Sequence, residues 1–390
     1  MRRILQGEGL LWLAVPIVVL AGLALGWAVS ISFERGQEPE AGPPVDLQVV
    51  EGEVVAILEE GEVVLGDRVQ TYQRVEVEIL EGPDRGRRVE IERGRQQLLN
   101  DPRGLRVGDR ILVSFGAGPL GESTPFLWDV LRTRPLALLF GLFVGVTLLV
   151  SGWKGARSLL GLAISLAVIL SFILPQILAG RDPVWVSVVG SAILLSTTLY
   201  LVHGWSVKTH AAVLGTLVAL VLTALLAHVF LDVTRLTGFG SEEAMFLTQL
   251  SGADIQIRGL LLGGIIIGTL GVLDDLSISQ SAAIQELRRA DPRLAWRALF
   301  GRGMNIGRDH IAATVNTLVL AYVGASLPLL LLFLLSDQPV VHLISREMVA
   351  EEIVRTLVGS LGLIAAVPLT TALAAWLVLR QPVAQSREAS

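Results

Sequence analysis

Stretches of about twenty consecutive apolar residues recur along this chain, and each is long enough to cross the hydrocarbon core of a membrane as a helix. Such runs lie near 10–32, 135–153, 158–179, 184–203, 211–232, 259–279, 311–335 and 354–379. In lipid the backbone can only hydrogen-bond to itself, which makes each run a helix. The breaks between runs carry charge, proline or both, as in Trp153-Lys154-Gly155-Ala156-Arg157, Gly180-Arg181-Asp182-Pro183 and the segment from His203 to His210. Charged residues make up 17% of the chain, against about a quarter in a soluble domain. The expected fold is therefore an α-helical polytopic membrane protein with eight transmembrane helices.

Lys and Arg concentrate on the cytoplasmic side of membrane proteins. Arg2 and Arg3 precede the first run, which places the N-terminus inside and residues 33–134 outside. Lys154, Arg157 and Lys208 then fall in inside loops, as do Arg288, Arg289, Arg293, Arg297, Arg302 and Arg308 in the loop 280–310. The outer loops 233–258 and 336–353 lean acidic, with Glu242, Glu243, Asp254, Asp337, Glu347, Glu351 and Glu352. Arg380 and Arg387 end the chain inside, which an even number of spans satisfies. The first run exceeds the 7–15 residues of a signal-peptide core, so an uncleaved anchor over 1–34 is expected despite the small-residue sequence Ala28-Val29-Ser30. The expected location is a bacterial inner membrane, with the bilayer as the main partner.

Residues 45–118 have a different grammar. Val75, Val77 and Ile79 alternate with Arg74, Glu76 and Glu78, the period of a half-buried strand. Short runs at Gly52–Leu58, Val63–Leu65, Arg87–Ile91 and Arg110–Phe115 resemble it, separated by turn signals at Gly61, Gly66-Asp67, Gly82-Pro83-Asp84, Asn100-Asp101-Pro102 and Gly108-Asp109. Five or six short strands in so small a segment predict an all-β, OB- or SH3-like barrel outside the cytoplasm. Pro39, Gly42, Pro43 and Pro44 form its linker to the first helix. The barrel reads equally as a module that binds a partner and as a cap over the bundle. A seven-helix domain, 130–380, follows it.

Within that domain the most informative stretch is Gly271-Val272-Leu273-Asp274-Asp275-Leu276, two carboxylates near the inner end of an apolar span. An Asp at the centre of a membrane helix costs about 2.5–3.5 kcal/mol and calls for a partner or a wet path. Neighbouring residues point about 100° apart, so one of the pair is expected to face the bundle and the other water. The next span opens with Gly307-Arg308-Asp309-His310. His310, Thr314 and Thr317 fall on one face of that helix, and Asp309, Ala313 and Asn316 on the next. Asp274, Asp275, Arg308, Asp309, His310, Thr314, Asn316 and Thr317 are thus the candidates for an ion-coupling or substrate path, the polar stripe being expected to turn inward toward the Asp pair. The competing reading is a salt bridge that locks the hairpin. Gly263, Gly264, Gly268 and Gly271, like Gly22/Gly26 and Gly141/Gly145, suggest close helix packing. Between the two spans, Ser281 to Arg289 is expected to continue the helix to Asp291-Pro292, with a short helix over about 293–301 beyond it. The arginines Arg288, Arg289, Arg293 and Arg297 suit anionic lipid headgroups.

The chain has no cysteine, no His-Glu-x-x-His motif, no phosphate loop and no nucleophile elbow. No metal, cofactor or catalytic residue is therefore expected, and the lack of a basic stripe interleaved with aromatics argues against nucleic acid. Asp274 and Asp309 on consecutive helices raise an intramembrane aspartyl protease, but the Tyr-Asp and Gly-x-Gly-Asp patterns are missing.

The segment from Gly271-Val272-Leu273-Asp274-Asp275 through Gln280, Glu286-Leu287-Arg288, Asp291-Pro292, Gly307-Arg308-Asp309-His310-Ile311, Asn316-Thr317-Leu318-Val319-Leu320-Ala321-Tyr322 and Gly324-Ala325-Ser326-Leu327-Pro328 resembles the YibE/F family of bacterial membrane proteins. The resemblance extends back through Lys154-Gly155 and Ser158-Leu159-Leu160-Gly161-Leu162, and it implies a multi-span protein with a β domain ahead of the bundle. A fainter likeness to SecD, SecF and RND-type transporters puts Asp274 at a proton-coupling position; the Asp-Ala-Asn of SecD is absent and the span count differs. Two functions follow as expectations: an ion- or proton-coupled permease, or a non-transporting scaffold or envelope-assembly factor whose β domain binds a partner. A homo-oligomer is compatible with either.

Overall fold

Alternation of β-branched and charged residues builds the first part of the molecule, and long apolar helices build the rest. The computed structural model describes residues 48–65, 68–95, 104–117, 123–250, 255–336 and 338–381. The described residues up to Val150 form one unit and those from Ser151 onward another. The expected anchor at 10–32, with Arg2, Arg3 and the Pro39–Pro44 linker, lies outside the described residues, as do Asp254, Asp337 and Arg387.

The first unit holds β1 (Gln48–Leu65), β2 (Arg68–Ile79), β3 (Arg88–Arg93), β4 (Arg110–Ala117) and β5 (Ser123–Val130). They form one antiparallel sheet in the order β3-β2-β1-β4-β5. The edge strands β3 and β5 come into contact without a hydrogen-bonded ladder between them, so the sheet curls into a half-barrel. Its core is the inward side of the alternation: Val54, Val75, Val77, Ile79, Ile91, Ile111 and Val113 are completely buried. Arg74, Arg88, Glu59, Glu76, Glu78 and Glu90 pair on the outer face at 3.4–3.7 Å, contacts worth at most about 1 kcal/mol each. Gln73 is the buried polar exception: its amide accepts from Leu105 N at 2.7 Å and donates to Leu105 O at 3.2 Å, pinning a loop to the sheet as a strand would.

Two sequence expectations change here. Gly61 is no turn: β1 runs through it, paired with Tyr72, after register shifts at Val54/Ala56 and Ile57/Glu59 that bend the strand. β5 lies beyond the expected limit at 118; Pro125 argues against a strand in sequence, but at a sheet edge it removes no ladder bond that a neighbour needs.

The helices are α1 (Thr133–Val168), a π-helical turn at Ile169–Ile173, α2 (Leu174–Leu178), α3 (Pro183–His203), α4 (Val207–Val233), α5 (Glu242–Leu250), α6 (Ile257–Ala290), α7 (Trp296–Ala325), α8 (Leu327–Leu334), α9 (Val340–Ile344) and α10 (Glu347–Leu379). Among the described residues, five helical runs are long and apolar enough to span a membrane, or six if α7 and α8, bent by 66°, make one span. The eight expected spans are not all separate runs. One lies outside the described residues, and those at 135–153 and 158–179 share the run Thr133–Leu178, broken only at Gly152, where φ 53 and ψ −132 leave the helical region.

In the second unit α4, α6 and α10 pack on one another, and α3 and α7 flank α6. α6 is the most enclosed run, 61% of its apolar window being buried. Small residues set the spacing. A Cβ on Gly362 would stand 2.0 Å from Thr223 Oγ1, one on Gly215 2.3 Å from Thr370 Oγ1, and one on Gly263 2.4 Å from Ser187 Oγ. Each glycine thus receives a hydroxyl side chain from the facing helix, the close approach expected of membrane helices.

Candidate functional site

α3 and α6 run side by side in the same direction. The contacts that show it climb in step: Gly259 against Pro183, Gly263 against Ser187, Asp274 beside Thr198, and Asp275 within electrostatic reach of His203. Thr198 is five residues before the end of α3, so Asp274 sits about 7 Å inside that end at 1.5 Å per residue.

The two carboxylates part as the helix geometry requires. Asp274 is half-buried and turned toward α3; its Oδ1 is enclosed and has no hydrogen-bond partner. The Thr198 hydroxyl lies beside the carboxyl, and it is placed to donate to Leu194 O on its own helix at 2.8 Å. Asp275 is exposed and shares its surroundings with His203, Lys208 and Lys154. Lys208 belongs to the start of α4, which is tied to α6 by Ser281 Oγ donating to Lys208 O at 2.8 Å. Tyr200, Trp205 and His210 close the same turn: Tyr200 stacks on Trp205 at 4.2 Å and its hydroxyl lies 2.6 Å from His210 Nδ1.

The expected partnership between the Asp pair and α7 is not what the structure forms. No hydrogen bond or ion pair joins Asp274 or Asp275 to Arg308, Asp309 or His310. The side of α7 that packs on the bundle carries Gly303, Gly307, Ile311, Val315 and Leu318. His310 and Thr314 flank it half-buried, whereas Arg308, Asp309, Asn316 and Thr317 are exposed. The cause is the two glycines. A Cβ on Gly307 would meet Val367 Cγ1 at 2.4 Å and one on Gly303 would meet Ile284 Cδ1 at 2.3 Å, so these positions have to face α10 and α6. They also carry α7 through without the break expected near 301, making one helix from Trp296.

What the bundle interior does contain is a set of hydroxyls and an amide that the sequence reading passed over. Gln280 donates to Gly303 O at 2.7 Å and to Thr371 Oγ1 at 2.8 Å, and Thr370 Oγ1 lies 3.2 Å from Ser277 Oγ. On α3, Ser187 and Ser191 are completely buried with hydroxyls that have no partner among the described residues. The available signal was their spacing: Ser187, Ser191 and Thr198 share one face of α3. Of the glycines, Gly263 packs against α3; Gly264 and Gly271 meet nothing within 4 Å, and Gly268 meets only Tyr322 Oη at 3.9 Å. In the hairpin, Arg288 donates to Pro292 O and, at 3.0 Å, to Leu294 O, and Arg289 pairs with Glu286 at 2.8 Å, which leaves Arg293 and Arg297 exposed.

At the other end of the bundle a cavity of about 630 Å³ is lined by Asp182, His228, Gln256 and Arg258 among others. Arg258 pairs with Asp232, which also lies 3.5 Å from His228. Nearby, Glu347 accepts from Thr237 N at 2.5 Å and Gly238 N at 3.0 Å, and Glu351 accepts from Gly240 N at 3.0 Å, so a loop of backbone amides is held on two carboxylates.

Comparison with curated proteins and with solved structures gives no match. The profile of YibE/F-like proteins matches residues 139–380, the whole of the second unit's described bundle but none of the five strands. With that match over more than half its length, and with helices suited to repeated membrane crossing, the chain is a multi-pass membrane protein and belongs to the YibE/F-like family.

Proposed function

We propose that the protein is an ion- or proton-coupled permease of a bacterial inner membrane, with Asp274 as the group that takes up and releases the coupling cation. The observation that carries this reading is the enclosed Oδ1 of Asp274, which makes no hydrogen bond among the described residues. A charge held there is uncompensated, and a bound proton or small cation removes it. Beside it, Asp275, His203, Lys208 and Lys154 make a polar mouth at the end of the bundle that the Lys and Arg distribution makes cytoplasmic. This reading leaves out Arg308, Asp309, Asn316 and Thr317, which are exposed on α7, and His310, which flanks that helix's packed side.

The test is proton flux in proteoliposomes under an imposed gradient, read with an internal pH-sensitive dye. Asp274→Asn is expected to lower flux at least about a hundredfold, the low end of what a positioned proton-transfer group contributes. Asp275→Asn, at the solvated mouth, is expected to lower it less. Unchanged flux in both variants rejects the assignment.

A second reading, a scaffold that uses the β unit to hold a partner, is supported by the far end of the β1–β2 hairpin. Val64 and Val69 face each other across the ladder there and are 69% and 63% exposed. The sheet also curls into a half-barrel, and small β barrels can present a binding face. Val64→Glu with Val69→Lys is expected to abolish co-purification of such a partner; co-purification that survives the exchange argues against this surface.

A further inference from the structure

A membrane helix is expected to turn polar side chains toward protein, yet α7 turns its polar stripe away from the bundle. Arg302, Asp309, Asn316 and Val323 recur every seven residues and all four are exposed. Ala312 and Ala313, also exposed, leave the middle of the stripe shallow. Asp309 has no hydrogen bond or ion pair among the described residues, and the Asn316 amide has none either. The opposite side of the same helix is already occupied, through Gly303 and Gly307 against α6 and α10. α7 therefore has two faces that behave as packing faces, and among the described residues one of them is open.

We infer that this stripe is the interface between two copies of the chain, joined α7 to α7 about a two-fold axis along the membrane normal. A seven-residue repeat is the period that keeps one seam in contact along two parallel helices, and an Asn in that repeat fixes register and copy number. Asn is suited to meet itself, since its amide donates through nitrogen and accepts through oxygen. Asp309, at the same seven-residue position, lies opposite its own copy, and Arg308, one residue earlier in each chain, flanks the two carboxylates and balances their charge. The chain offers no better occupant. Residues 10–32 and 135–150, two further apolar runs of the sequence, contain no charged and no amide side chain. They would leave Asp309 and Asn316 unsatisfied in lipid.

The chain has no cysteine, so single substitutions can be cross-linked in native membranes without background. On oxidation with copper phenanthroline, Asn316→Cys and Leu320→Cys are expected to give a covalent species at twice the 41.8 kDa of the chain, and Val315→Cys, which packs inward, is not. Asn316→Cys and Leu320→Cys remaining monomeric in protein that reaches wild-type levels overturns the proposal. So does a monomer band from the double variant Gly22→Cys with Asn316→Cys whose two thiols are lost to maleimide labelling until a reductant is added, which assigns the stripe to the N-terminal segment instead. Should the cysteine variants fail to accumulate, Asn316→Leu in labelled full-length chains decides: self-association read by energy transfer in vesicles is expected to weaken about three- to thirtyfold, the range for an interhelical polar contact in a membrane. Undiminished transfer overturns the proposal. This interface is independent of the role given to Asp274, and loss of flux in one experiment says nothing about the other.

Discussion

Adjacent positions on a helix diverge by about 100°, and that divergence alone separates the environments of Asp274 and Asp275. The presence of an acidic pair, and its split into one enclosed and one solvated member, can be read from the residues. The identity of the neighbours cannot, because it depends on which helix lies against α6, and Thr198 and His203 carry no mark in sequence that points to position 274. The glycines are similar. Their number is plain in the sequence, but only the fold shows that Gly362 and Gly215 receive threonines whereas Gly264 and Gly271 face open space. This gives a sharp expectation at the residue scale. Gly362→Ala places a methyl 2.0 Å from Thr223 Oγ1, an overlap that has to be relieved by moving packed helices. Overpacking of that kind costs about 1–3 kcal/mol and is expected to lower the unfolding midpoint in detergent. Thr223→Ala removes the opposing atoms, so in that background the penalty of Gly362→Ala is expected to fall by at least half. Equal penalties in both backgrounds show that the two side chains do not meet.

Elements were legible where one local rule governs them and obscure where two compete. β2 and β3 follow from simple alternation, and the long helices follow from apolar length. β5 was hidden because a proline inside a strand is a contrary signal unless the strand is known to be an edge. The continuity of α7 was hidden because glycine signals helix ends in water, whereas Gly303 and Gly307 serve as contact points against Ile284 and Val367. The loop after α4 shows the opposite use of glycine, as a conformational necessity. Gly238 has φ 92, and a Cβ there would stand 2.8 Å from Ile257 O, which is backbone and cannot swing aside. Gly238→Ala therefore meets the left-handed penalty of about 1–2 kcal/mol together with a steric one. The expected result is a displaced loop in which the amides of Thr237, Gly238 and Gly240 leave Glu347 and Glu351. Hydrogen exchange over 235–241 measures this directly: exchange is expected to rise by tenfold or more there while α6 remains protected. Unaltered protection of that peptide would falsify the amide–carboxylate account of the loop.

At the scale of the whole molecule, the family match and the fold draw the boundary in nearly the same place. The match begins at 139, after the last strand ends at Val130, so the family profile covers the helical part and the five strands lie outside it. The two proposed readings divide along the same line: ion coupling at Asp274 would belong to the bundle, and partner binding to the strands. That division has meaning only if the strands and the inner mouth of the bundle face opposite compartments. Orientation rests on the Lys and Arg asymmetry, because positively charged segments are held back on the cytoplasmic side during insertion. The hairpin between α6 and α7 is the strongest such signal, and Arg293 and Arg297 keep their charges exposed there. The absence of cysteine again makes the test direct. Glu81→Cys in the half-barrel and Arg181→Cys between α2 and α3 are expected to react with a membrane-impermeant maleimide in cells whose inner membrane is intact. Arg293→Cys in the hairpin and Gln381→Cys after α10 are expected to react only once that membrane is permeabilised. The reverse pattern would turn the molecule over, placing the half-barrel and the outer cavity in the cytoplasm and the Asp275 mouth outside. Coupling at Asp274 would then draw on the opposite reservoir of protons, so the direction of any driven transport is decided by the same four residues.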